Sequence, residues 1–170
     1  MPQAAETGIL ILAYGAPQSL DEVAPFMRSV TGSDEISRAL PTIMARYEQI
    51  GGKSPLVDFA LEIASKLEDY FEQQDQWMPV KIGMLHSRPQ IEDAVHEFVL
   101  EGVQKIIAIS LSPYFSSASN GLSYERALEC VEAYPGIEIE IAPEVGLIEP
   151  YLRGIAASLS AEFDAADAMS

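Results

Sequence analysis

Residues 8–17 read GILILAYGAP, and this short run decides the fold. Its first six residues, 8–13, are apolar without alternation, the pattern of a strand buried on both faces. Such strands belong to parallel sheets covered by helices. Tyr14-Gly15-Ala16-Pro17 then ends the run abruptly. That stop is either ordinary strand-to-helix punctuation or the floor of a site.

Working outward, strands and helices alternate along the rest of the chain. Ser19 reads as the N-cap of a short helix to about Val30, with Asp21 and Glu22 in its first turn. A second helix over roughly 39–50 ends at Gly51-Gly52. A third starts after Pro55, where Leu56, Phe59, Ala60, Ile63, Leu67, Tyr70 and Phe71 form one apolar stripe at helical spacing. Residues 79–86 (PVKIGMLH) make a second strand, and 90–102 a helix with Ile91, Ala94, Val95 and Phe98 inward. Residues 105–111 (KIIAISL) make a third strand, followed by a long polar loop over 112–120 and a helix to about Tyr134. Residues 137–142 (IEIEIA) alternate strictly, and a last helix covers about 149–163 before a fraying DAADAMS tail.

This order implies parallel βαβ units in one α/β domain spanning residues 1–170. The first and third strands are apolar throughout and therefore central. The second and fourth carry charge and therefore sit at the edges. Right-handed crossovers then give a flavodoxin-like, four-stranded parallel sheet in the order 2-1-3-4, with helices on both faces.

Composition narrows the function. Ten Lys and Arg face 26 Asp and Glu, a net charge of −16, which repels nucleic acid and draws cations. No apolar run approaches the ~18 residues that a membrane helix needs. MPQAAETG lacks the features of a secretory signal. The one cysteine, Cys130, cannot form an internal disulfide, and the expected compartment is the cytoplasm. CxxC, HExxH and paired histidines are missing, so a structural zinc site is not expected. There is no nucleophile elbow and no P-loop. A receiver domain would want acids where Tyr14 stands and an aspartate where Ser112 stands.

Ligands of an open parallel sheet bind beyond the carboxyl ends of its strands. That rule gathers Tyr14-Gly15-Ala16-Pro17-Gln18, His86-Ser87-Arg88-Pro89, residues 112–121 and Pro143-Glu144 into one candidate site. His86 closes a strand and offers a base or metal ligand near neutral pH. His96 sits on the solvent side of its helix and has no role. Tyr114, Phe115 and Tyr124 offer faces for a flat apolar ligand, and hydroxyls such as that of Ser116 offer hydrogen bonds.

Four motifs in unbroken order resemble the ferrochelatase family: L-x-x-A-Y-G-x-P (10–17), R-Y-E-x-I-G-G-x-S-P-L (46–56), G-M-x-H-x-x-P-x-I-E-D-A-V (83–95) and L-S-P-Y-F-S-x-x-S (111–119). The resemblance covers about residues 8–150. It implies insertion of ferrous iron, as substrate, into coproporphyrin III or protoporphyrin IX during haem biosynthesis, with no tightly bound cofactor. It also implies a chelatase-like domain equivalent to the first of two that enclose the macrocycle. Under it, Tyr14, Gly15, Pro17, Arg46, Tyr47, Ser54, Tyr114, Ser116 and Tyr124 are porphyrin-contacting positions. His86 matches a histidine near the metal path, as catalytic base and metal ligand; apart from the resemblance, Glu144 after the fourth strand could supply the accompanying acid and a second metal ligand. Arg46 would supply the cation that propionates need in so acidic a chain.

The sequence also departs from the family pattern. Gln18 stands where some members carry a tyrosine, Val30 where an arginine is common, and Gln90 follows the proline where relatives have an aromatic. The family's principal iron-handling histidine and glutamate belong to a second domain, which these residues do not include. Three readings follow from the resemblance: the first half of a two-part chelatase working with a separate second half, a homodimer like the small cobalt chelatases, or a non-catalytic porphyrin- or haem-binding module.

Overall fold

The computed structural model describes residues 5–33 and 35–168. Residues 1–4, at the head of the MPQAAETG segment, and the last two residues of the tail lie outside them. The chain runs β1 (Thr7–Ala13), α1 (Leu20–Thr31), α2 (Leu40–Gln49), α3 (Leu56–Glu72), β2 (Val80–Met84), α4 (Ile91–Leu100), β3 (Lys105–Ser110), α5 (Leu122–Glu132), β4 (Glu138–Ile141) and α6 (Glu149–Ala168), with short 3-10 turns at Glu35–Arg38 and Val145–Leu147. The four strands form one parallel sheet in the order β2-β1-β3-β4, as their composition implied.

The unbroken apolar run of β1 after Thr7 is explained by two separate cores. Leu10 and Leu12 point to one face, where Ile91, Val95 and Phe98 of α4 and Ala127 of α5 bury them. Ile9, Ile11 and Ala13 point to the other, against Val57, Ala60 and Ala64 of α3. Phe98 and Ile91 are fully buried, each worth about 1.5–3 kcal/mol of transfer free energy. At the β4 edge, Glu138 and Glu140 face solvent while Ile139 and Ile141 pack inward, and Lys105 pairs with Glu140 at 2.7 Å.

Several local expectations are corrected. Helix α3 buries Val57, Ala60 and Ala64, with Leu67 and Phe71 beside them, whereas Phe59, Ile63 and Tyr70 of the expected stripe are exposed. Its apolar face is wider than the sheet covers, and the small alanines, roughly a quarter-turn away, let the helix approach more closely. Ser19 occupies the N-cap position of α1, but its side chain makes no capping bond. The Glu22 carboxylate instead reaches back to accept from the Gln18 backbone N–H at 2.8 Å.

The loop after β3 is not wholly irregular. Ser117–Gly121 form a π-helical turn that leads directly into α5. Helix α6 continues past Phe163 to Ala168, through the alanine-rich residues expected to fray, because alanine is the strongest helix former. The helix stands off the sheet. Leu152, Ile155, Leu159 and Phe163 recur along one side of it and all are exposed. No helix among the described residues is long and apolar enough to cross a membrane.

Candidate functional site

The β1–α1 and β2–α4 segments lie side by side beyond the strands that lead into them. The Leu85 N–H donates to the Ala13 carbonyl at 3.0 Å and the His86 N–H to the Tyr14 carbonyl at 3.1 Å. Contact between the two segments thus continues past Met84, the last residue of β2, which ends two residues earlier than the sequence pattern suggests. Gly15 permits this approach. Its φ is +94°, and a Cβ there would meet Ser87 Oγ at 2.6 Å and Ser87 N at 2.9 Å. The Ser87 hydroxyl in turn accepts from the Ala16 N–H at 3.0 Å. The glycine therefore serves contact between two loops.

His86 emerges from this seam among aromatic rings. Its imidazole lies edge-to-face with Tyr14, centroids 4.6 Å apart, and with Phe26 of α1 at 6.4 Å. Nδ1 lies 2.9 Å from the Ser29 hydroxyl. Partial burial lowers the imidazole pKa below its usual 6.5, because desolvation disfavours the charged form. The ring is therefore neutral at pH 7, with one nitrogen lone pair available. An NMR titration of the His86 Cε1 proton should give a midpoint below 6.5. With the folded value depressed, the unfolded chain binds this proton more readily, so the contribution to stability is full above 6.5 and is lost as pH falls below it.

Two clefts meet at this histidine. One, of 360 Å³, is bounded by Pro17, Phe26, Ser29 and His86; the other, of 410 Å³, by Ser29, His86, Leu122 and Arg126. Pro17 is buried, and its carbonyl accepts from the Ser54 N–H at 3.0 Å, which ties the loop before α3 to the site floor. The Ser54 hydroxyl is engaged locally by the Leu56 N–H at 3.2 Å. Tyr47 is half-buried, its carbonyl accepting from Gly52 N–H at 2.8 Å. Arg46, in the last turn of α2, is exposed and has no ion-pair partner among the described residues.

The third loop is organised by a residue that the sequence reading passed over. Asn120 is buried, its amide oxygen accepting from the Ser116 N–H at 2.6 Å and its NH2 donating to the Tyr114 carbonyl at 3.1 Å. Asparagine just before Gly121 in a serine-rich turn was the available signal. Tyr114 and the Ser116 side chain remain exposed on this loop, and the Tyr114 ring packs over Gly146. Asn120→Ala would strand both backbone groups and should lower stability by about 2 kcal/mol, read as a shift in urea midpoint at unchanged slope.

Tyr124 stands beside Asn120 and Ser110. Its phenol pKa is raised, first by burial and also by the negative charge of Glu144. Glu144 thus stands near Tyr124 and lines neither of the clefts that His86 borders. Among the described residues no three His, Cys, Asp or Glu converge to hold a metal ion. The structure brings Tyr14, Gly15, Pro17 and His86 together, with Ser54 attached through Pro17. Tyr114, Ser116, Tyr124 and Glu144 form a second group around the third loop. Phe26 and Ser29 complete the surroundings of His86. Their helical spacing with Glu22 on α1 was visible, but not what that face meets.

The family model described as Ferrochelatase matches residues 6–167. The chain belongs to the ferrochelatase family. It is 37% identical over 136 residues to coproporphyrin III ferrochelatase 2 of Bacillus thuringiensis subsp. konkukian, an alignment covering 78% of this chain and 43% of that protein. It is 34% identical over 158 residues to coproporphyrin III ferrochelatase of Oceanobacillus iheyensis, covering 89% of this chain and 50% of the relative. The ferrochelatase of Deinococcus radiodurans is 36% identical over 113 residues, covering 66% and 36% respectively. This ferrochelatase-family chain thus spans half the length, or less, of these curated relatives.

Proposed function

We propose that this chain takes part in the insertion of ferrous iron into a porphyrin in haem biosynthesis, as one wall of a site that a second α/β unit completes. The observation that carries the reading is the imidazole of His86, held among Tyr14, Phe26 and Ser29 at the carboxyl ends of the strands. Metallation replaces two pyrrole N–H protons by one Fe²⁺. A neutral imidazole beside the ring accepts one of them, and positioning lowers the remaining barrier. The other proton leaves to water or to a base on the second unit.

Tyr14 and Pro17 would form the floor beneath the macrocycle, backed by Gly15. Tyr47, Ser54, Tyr114, Ser116 and Tyr124 would border it, and Arg46 would answer the propionates. The relatives' names favour coproporphyrin III over protoporphyrin IX as substrate. The exposed stripe on α6, Leu152, Ile155, Leu159 and Phe163, supports a second unit, either another copy or a separate second half. The cytoplasm suits this chemistry, since ferrous iron and the free Cys130 thiol both persist in a reducing compartment.

A second reading, porphyrin or haem binding without turnover, is favoured by the lack of a converging metal-ligand cluster among the described residues. Anaerobic titration separates the two. Coproporphyrin III should bind with a shift of its Soret band, and added ferrous iron should convert it to the metalloporphyrin. A rate rising with the square of protein concentration identifies self-assembly of the site. Binding without conversion selects the second reading. No spectral shift with either porphyrin overturns both.

A further inference from the structure

We propose that Ser29 is a positioning residue for His86: its hydroxyl oxygen accepts the Nδ1–H, which fixes the ring and leaves the Nε2 lone pair for the substrate. The proposal rests on the reading of His86 as the base and adds a residue from a separate element, since Ser29 lies 57 positions away in the last turns of α1.

Three contacts define the ring. Tyr14 meets it with an interplanar angle of 64° and Phe26 at 89°, which together limit rotation of the imidazole plane. The 2.9 Å contact between Ser29 Oγ and Nδ1 then distinguishes one edge of the ring from the other. Which nitrogen of a neutral imidazole carries the proton is set by the partner of the other nitrogen. Both clefts that meet at His86 also have Ser29 in their walls, so the pair stands at the boundary between them. A hydroxyl orients the ring without the negative charge of a carboxylate, which would favour the imidazolium and occupy the lone pair that the base needs.

The chain's two histidines, His86 and His96, make the test direct. With ¹⁵N-labelled histidine at about pH 8, above the ordinary titration range, long-range nitrogen–proton correlations report each tautomer. Wild-type His86 should show a protonated Nδ1 and an unprotonated Nε2. Ser29→Ala should move His86 toward the Nε2–H form while the His96 signals stay in place, and Ser29→Thr should restore the wild-type pattern. A wild-type ring already in the Nε2–H form overturns the proposal, because Ser29 would then be the donor. So does a Ser29→Ala spectrum with His86 unchanged, or one in which His96 moves as far as His86.

In porphyrin metallation, the same loss should slow the step roughly 10–100-fold, the range for partners that orient a functional histidine, with porphyrin affinity retained. The tautomer is read without substrate, so it can fail or hold independently of the base assignment, which His86→Ala tests.

Discussion

Gly15→Ala should lower stability by roughly 3 kcal/mol, combining backbone strain with a collision between two packed loops. The position has φ +94°, and the new methyl would enter space occupied by Ser87 Oγ and Ser87 N. Gly136 supplies the control, since it has φ +101° but nothing within 4 Å of an added Cβ. Gly136→Ala carries only the backbone term, about 1–2 kcal/mol. Urea unfolding of the two variants isolates the collision as the difference between their midpoints at constant slope. Equal losses would mean that the loops separate freely and that Gly15 is needed only for its φ. A larger loss at Gly15 should coincide with weaker porphyrin binding, because Tyr14 and His86 sit on the two loops being forced apart.

His86→Ala should reduce iron insertion by about 10²–10⁴-fold, the usual contribution of a positioned acid–base group, while porphyrin affinity changes little. The imidazole is neutral because burial holds its pKa down, so removal takes away an acceptor without unbalancing a charge. Loss of its edge contact with Tyr14 should cost about 1 kcal/mol, which leaves the fold intact. Single-turnover insertion at saturating porphyrin separates chemistry from binding. A variant that inserts iron at the wild-type rate removes His86 from the reaction. One that fails to bind porphyrin reassigns it to the macrocycle wall.

The sheet order was legible in where charge falls rather than in how many faces each strand buries. Lys81 interrupts β2 and Glu138 and Glu140 alternate through β4, although edge strand β2 is buried on both faces and inner strand β3 alternates. β1 has partners on both sides and two cores, so no residue from Gly8 to Ala13 is polar, whereas β4 exposes one face and alternates. The helix orientations were less legible. On α3, Phe59 and Tyr70 are as apolar as the residues beside them, and only the contact with β1 and β2 shows that Val57 and Ala64 face inward with Ala60. The site was half legible. A run of strand ends could be read from the chain, and His86 with it. Ser29 and Ser87 could not, because their partners are 57 and 71 positions distant and no local spacing encodes such pairs. Gly15 stood out as a breaker of the strand, but its neighbour across the gap appears only in three dimensions. Asn120 was overlooked because its value lies in backbone groups within its own loop.

The continued contact of Ala13 and Tyr14 with Leu85 and His86 has a mechanical consequence. Although His86 follows a strand, its amide is held by the Tyr14 carbonyl, and breaking that bond means parting the β1–α1 and β2–α4 segments. The Leu85 and His86 amides should therefore exchange with solvent more slowly than amides without a protein acceptor. An imidazole mounted this way keeps its height and tilt as the surrounding loops fluctuate. On the proposed reading, a porphyrin settling onto it would meet a fixed point, so adjustment during binding would fall to whatever approaches from the opposite side.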